Sequence, residues 1–172
     1  MNLTDISKFI LLSMGGIWAV RGDTQAVASN STDTLCSDPP RGQCEFYRDC
    51  LEARYNCGAD GYPLGYGEKY CNKFSQSQDR LSPKGQKWML DTMECLQRTL
   101  VPDATGAEGA SADCKALEDK AFDSHSVCYL QNGLCSLEPQ DFVAIVKIVG
   151  VQGLFGSWDS IKEVVQAAEG CL

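Results

Sequence analysis

The chain has 172 residues, 44% of them hydrophobic and 22% charged, which is enough for one domain and excludes disorder along its whole length. Its formal charge of −8 offers nothing to offset phosphate repulsion, so nucleic acid is excluded as a partner. One histidine leaves little material for a His-rich metal site, whereas ten cysteines, an even number, read as a disulfide framework made in an oxidising compartment.

The first predicted element is a signal peptide over residues 1–28. Residues 9–20, FILLSMGGIWAV, form a 12-residue apolar run that is too short to span a bilayer. Lys8 precedes it, and Ala26-Val27-Ala28 follows as a small-residue cleavage site. Asp5 dilutes the basic start, and Arg21 and Asp23 interrupt the approach to the cleavage site; a buried N-terminal helix is the alternative. No later stretch is apolar enough to span a membrane, so a secreted, extracellular protein is expected. Asn30-Ser31-Thr32 is a glycosylation acceptor at Asn30, within a short flexible segment over 29–35. The domain proper is expected over 36–172.

Residues 43–56 place Cys44, Tyr47, Cys50, Leu51 and Tyr55 at helical spacing, with Gly58 as the stop. Residues 58–67, GADGYPLGYG, read as a turn-rich connecting loop, with a binding role as the alternative. Helical periodicity resumes over 66–80 through Tyr66, Tyr70, Cys71 and Phe74. Ser82-Pro83 starts a helix that runs to about Leu100 and directs Trp88, Thr92, Cys95, Leu96 and Leu100 to one side. Its first turn, with Lys84 and Gly85, is expected to fray. Residues 101–111 are small and polar and are expected to form an exposed loop open to proteolysis.

A helix over 112–131 carries Cys114, Leu117, Ala121 and Cys128 on one stripe and ends at Asn132-Gly133. The next starts between Ser136 and Pro139, with Phe142, Ile145, Val146 and Val149 as its apolar face. The β-branched run in 142–151 suits a strand locally, but a strand without a partner leaves its backbone unpaired, so helix is expected. A last helix starts at Ser157 and ends at Gly170. The expected fold is all-α: a disulfide-stapled bundle of five or six helices.

Ten cysteines allow 945 pairings, and spacing alone does not choose among them. Their order and context nevertheless resemble a known family. Residues 44–57 read CEFYRDCLEARYNC, followed by a Gly-Tyr turn and Tyr70-Cys71. Cys71 and Cys95 are separated by 23 residues, with Phe74 and Gly85-Gln86-Lys87-Trp88 between them. Then 13 residues separate Cys114 from Cys128, six separate Cys128 from Cys135, and 35 separate Cys135 from Cys171. Cys128-Tyr129 and Cys135-Ser136-Leu137 add to the match. The pattern resembles the stanniocalcins, secreted glycoprotein hormones, over Cys36 to Cys171.

The resemblance implies that Cys36 pairs with Cys50, Cys44 with Cys71, Cys57 with Cys114, Cys95 with Cys128 and Cys135 with Cys171. It further implies a non-enzymatic regulatory protein of hormone type that binds an extracellular protein partner or receptor. Family members act in calcium and phosphate handling, and some inhibit extracellular metalloproteases. Three features depart from the family. No counterpart of its downstream dimer-forming cysteine is present, so a monomer or non-covalent dimer is expected; its basic tail is missing; and Asn30 lies upstream of the cysteine cluster.

Other classes remain to be weighed. His125 near Cys128 suggests a secreted phospholipase, but Ser126 rather than aspartate follows it, so an exposed structural histidine is expected. Asp113, Glu118, Asp119 and Asp123 lack the alternation of a calcium loop and read as a solvated helix face. No cofactor and no metal are expected. Tyr62, Tyr66, Tyr70 and Trp88 fit either a packed core or an exposed aromatic patch. The alternative to a hormone is a secreted interaction module, an effector or small lipid carrier; a hydrolase ranks third. A hydrolase requires His125 poised beside a carboxylate. A lipid carrier requires an apolar cavity between helices. A partner-binding hormone requires neither, and presents an exposed patch.

Overall fold

A computed structural model describes residues 31–150, 166, 167 and 169–171. The expected signal peptide and Asn30 lie outside the described residues, as does most of the expected last helix, of which 166, 167 and 169 are helical. The fold is an all-α bundle stapled by five disulfides, with no strand among the described residues.

Helix α1 covers 31–37, so residues 31–35 of the segment expected to be flexible are helical. Ser37 Oγ donates to the Asp33 carbonyl at 2.8 Å, and Cys36 is bonded to Cys50. Helix α2 covers 45–55, with π-helical Tyr47–Glu52 leading into α-helical Ala53–Tyr55. The wider turn brings Tyr47, Cys50 and Leu51 to the core together. Asn56 ends it in the left-handed conformation, while the Glu52 carboxylate accepts from the backbone N–H groups of Cys57 and Gly58 at 3.2 and 2.8 Å.

Helix α3 corrects the expected loop. It covers 62–76, π-helical over Tyr62–Glu68 and α-helical over Lys69–Gln76, so the connection shrinks to 56–61. The glycines of GYPLGYG answer a packing need as well as a turn. A Cβ at Gly67 would lie 2.4 Å from the Tyr47 ring, so only glycine lets α3 approach α2 there. Pro63 occupies the first turn, where its missing N–H costs nothing.

Helix α4, Pro83–Thr99, is N-capped by Ser82 Oγ, which accepts from Gly85 N–H at 3.1 Å. Its first turn is anchored, contrary to expectation, because Ser82 and Gly85 pack against the buried carboxylate of Asp141. Its buried face includes Met89, Met93 and Gln97 and is wider than the predicted stripe.

The expected loop over 101–111 is also corrected in part. Val101–Thr105 forms helix α5, and only 105–109 run fully exposed. Asp103 is the anchor, fully buried at the base of this segment. Its carboxylate accepts from Lys120 Nζ at 2.6 Å, Ser111 N–H at 2.7 Å and the Tyr55 hydroxyl at 3.3 Å. Burial pushes the Asp103 carboxyl up, but the bonds from Lys120 and Ser111 outweigh burial and hold it below its ordinary value.

Helix α6, Cys114–Gln131, is capped by Asp113, whose Oδ1 accepts from Ala116 N–H at 2.9 Å. Helix α7 is Pro139–Val149, which settles the strand-or-helix ambiguity. Its fully buried residues are Asp141, Ala144 and Ile148; of the predicted face, Ile145 and Val149 are half-buried and Phe142 and Val146 exposed. The register is set by Asp141, which must face inward to reach Ser82.

The disulfides join Cys36–Cys50, Cys44–Cys71, Cys57–Cys114, Cys95–Cys128 and Cys135–Cys171. They tie α1 to α2, the start of α2 to α3, the end of α2 to α6, and α4 to α6. The fifth fastens the turn before α7 to the last described residues. The core thus lies between the α2–α3 pair and the α4–α6 pair.

Candidate functional site

Where these pairs meet, the helices form a cavity of about 520 Å³ that is partly open to solvent. Well-packed interiors hold few voids larger than a water molecule, so a space of this size is a candidate site.

Each wall follows from local helix geometry. On α3 the repeat Tyr62, Tyr66, Tyr70, Phe74 puts a ring on the cavity every four residues. On α4 Trp88, Met89, Thr92, Met93 and Leu96 face it. α6 contributes His125 and Tyr129, again four apart, and α7 contributes Phe142, Ile145 and Val149. Tyr47, Gly67, Cys71, Leu134, Cys135, Ala167 and Cys171 complete the described wall.

The rings form a continuous array. Tyr66 and His125 stack with centroids 5.6 Å apart, and His125 and Tyr129 stack at 5.7 Å. Phe122 meets both Tyr66 and His125 edge-on, at 4.8 and 5.3 Å. Trp88 lies 5.8 Å from Tyr129 and donates its indole N–H to the Tyr129 carbonyl at 3.2 Å. The Tyr62 hydroxyl sits 3.5 Å from His125 Nε2.

His125 is therefore corrected from an exposed histidine to one that is 1% exposed within an aromatic cage. Asp123, the carboxylate considered for it, is exposed. Of the aromatic residues with two open readings, Tyr62 and Trp88 are buried and Tyr66 and Tyr70 half-buried. Burial raises the Tyr70 hydroxyl above its ordinary pKa, and Lys73 Nζ lies 4.8 Å from the centre of its ring.

The polar atoms of the wall are few. Thr92 is 4% exposed, and its Oγ1 has no hydrogen-bond partner. Among the described residues, no aspartate, glutamate, lysine or arginine lines the cavity. Two of the acidic positions considered for calcium are occupied otherwise: Asp113 caps α6, and Asp119 pairs with Lys115 Nζ at 2.5 Å. Among the described residues, no group of three His, Cys, Asp or Glu side chains is placed to hold a metal. Also among them, no helix is long and apolar enough to cross a membrane.

Sequence reasoning reached Thr92 and Leu96 as part of a helical stripe, but not Met89 and Met93, which lie one position further round α4. Widening the stripe to the two flanking rows of the helix would have found them. No family model, curated protein or solved structure matches the chain.

Proposed function

We propose that this is an extracellular carrier or sensor of a small apolar molecule, which it holds inside its disulfide-stapled bundle. The cavity of about 520 Å³, walled by tyrosine, tryptophan, phenylalanine and methionine side chains, carries this reading. Methionine adapts to irregular ligands, and aromatic faces supply large contact area at low entropic cost. Five disulfides suit an oxidising compartment and a rigid container. The test is a fluorescence titration with the neutral apolar probe N-phenyl-1-naphthylamine. Wild type should give a saturable increase, and Met93→Trp, which fills the cavity, should lose it. A non-saturable signal, equal in both proteins, would count against the reading.

A second reading is a stanniocalcin-like regulatory protein that binds an extracellular protein partner. The exposed apolar residues Phe142, Val143 and Val146 on α7 favour it, as does the cysteine order. Here the resemblance implies roles in calcium and phosphate handling or metalloprotease inhibition. Under this reading the protein inhibits a secreted metalloprotease, and Val143→Asp weakens the inhibition. Failure to inhibit any of a panel of such enzymes removes that version of it.

A further inference from the structure

Helix α3 sets two lysines at the edge of the cavity. Tyr70 is the end ring of the aromatic array. It lines the cavity, is half-buried, and among the described residues has Tyr66 as its one aromatic neighbour, with centroids 4.5 Å apart. Lys69 Nζ lies 5.5 Å and Lys73 Nζ 4.8 Å from the centre of the Tyr70 ring, and both lysines are exposed. One ring therefore borders both an apolar cavity and a pair of ammonium groups in contact with solvent.

These two charges are not neutralised from within. Acidic residues are in surplus, 23 against 15 basic ones, and Arg41, Arg48, Lys87, Arg98, Lys115 and Lys120 each meet a carboxylate. Lys69 and Lys73 meet none among the described residues, and Glu68, next to Lys69 in sequence, is engaged by Arg48. Like charges four residues apart on a helix repel, so the pair is unfavourable in the free protein. An anion between the two ammonium groups removes that repulsion. The cavity itself takes an apolar body and offers no acidic or basic side chain among the described residues except the neutral-to-cationic His125 within its cage. A ligand that meets both conditions has an apolar chain for the rings and an acid group that stays at the wet edge, where it keeps much of its hydration. A volume of about 520 Å³ suits one acyl chain rather than the two of a diacyl lipid.

Resting on the cavity reading above, we propose that the ligand is a fatty acid, with its acyl chain in the cavity and its carboxylate on Lys69 and Lys73 at the edge. The aromatic and methionine walls then supply most of the affinity. The lysines add a preference for acids that a neutral chain of the same length does not feel.

The experiment displaces N-phenyl-1-naphthylamine at neutral pH with decanoate and with decan-1-ol, which share a ten-carbon chain and differ in the charge of the head. The proteins are wild type, Lys69→Gln/Lys73→Gln and Lys69→Arg/Lys73→Arg. The glutamine variant should bind decanoate about fivefold more weakly than wild type and decan-1-ol equally well. The arginine variant keeps both charges and should bind decanoate more tightly than the glutamine variant does. Added salt should weaken decanoate in wild type more than in the glutamine variant. Unchanged decanoate affinity in the glutamine variant, or equal losses for both ligands, would overturn the inference while leaving the cavity reading in place. Failure of wild type to bind the probe or decan-1-ol at all would overturn both.

Discussion

The buried carboxylate of Asp141, in the first turn of α7, accepts from both the backbone N–H and the hydroxyl of Ser82, at 2.8 and 2.7 Å. One side chain thereby fixes the N-terminus of α4 and the register of α7, and so two walls of the cavity. Asp141→Ala should cost about 2–3 kcal/mol, because it strands a partly buried donor as well as losing charge-assisted bonds. Gly85→Ala tests the same contact with the opposite sign. Alanine in place of a helical glycine ordinarily gains about 0.5–1 kcal/mol. Here its Cβ would lie 2.5 Å from Asp141 Oδ1, so a net loss is expected, and a gain only in the Asp141→Ala background. Urea denaturation of the four proteins checks it.

Asp103 makes stability depend on pH in the acid range. Its carboxyl is held below its ordinary value in the folded chain, so the folded state binds that proton less readily than the unfolded one. The contribution is fully present above the unfolded value of about 3.9 and disappears as pH falls through the lower folded value. Asp103→Asn should cost about 2–3 kcal/mol at neutral pH and flatten the acid limb of a stability–pH profile. An unchanged limb would mean that the Lys120–Asp103 pair carries no weight.

The disulfides should differ in worth. Cys57–Cys114 spans 57 residues and Cys36–Cys50 only 14. Loop-closure entropy assigns about 4 kcal/mol to the first and about 3 kcal/mol to the second. Replacing both cysteines of each pair by alanine, followed by thermal denaturation, should lower the midpoint more for Cys57 and Cys114. Full reduction should unfold the protein.

The unpaired hydroxyl predicts an uncommon result in the ligand-free protein. Thr92→Val should raise stability by about 1 kcal/mol, since it removes a buried group with no partner at nearly constant volume. Calorimetry in the absence of any apolar additive is the measurement. A loss of stability would show that the hydroxyl is satisfied in solution.

Much of this was legible in the sequence. Helical periodicity located α4, α6 and α7, and Ser82-Pro83 marked its start as a serine-proline pair does. Composition pointed to a disulfide framework, but pairing depends on which helices lie side by side, and spacing alone left that open. The GYPLGYG segment read as a loop because glycine usually breaks helices; its glycines instead allow close approach, which only the neighbouring Tyr47 reveals. The face of α7 was read in part: Phe142, Ile145 and Val149 line the cavity, but a polar residue, Asp141, takes the fully buried position, and a rule that turns apolar residues inward does not anticipate it. The cavity was named as a discriminator yet not located, since its wall is assembled from several helices far apart in the chain. No single stretch of chain carries the pattern.

The central claim, that an apolar molecule occupies the bundle, is most directly tested by methionine-methyl NMR. The chain has four methionines, and Met89 and Met93 line the cavity. On titration with naphthalene the methyl signals of both should shift in a saturable way through ring currents, with one dissociation constant. If both signals stay in place up to the solubility limit of naphthalene, the cavity does not take an apolar ligand and the account is contradicted.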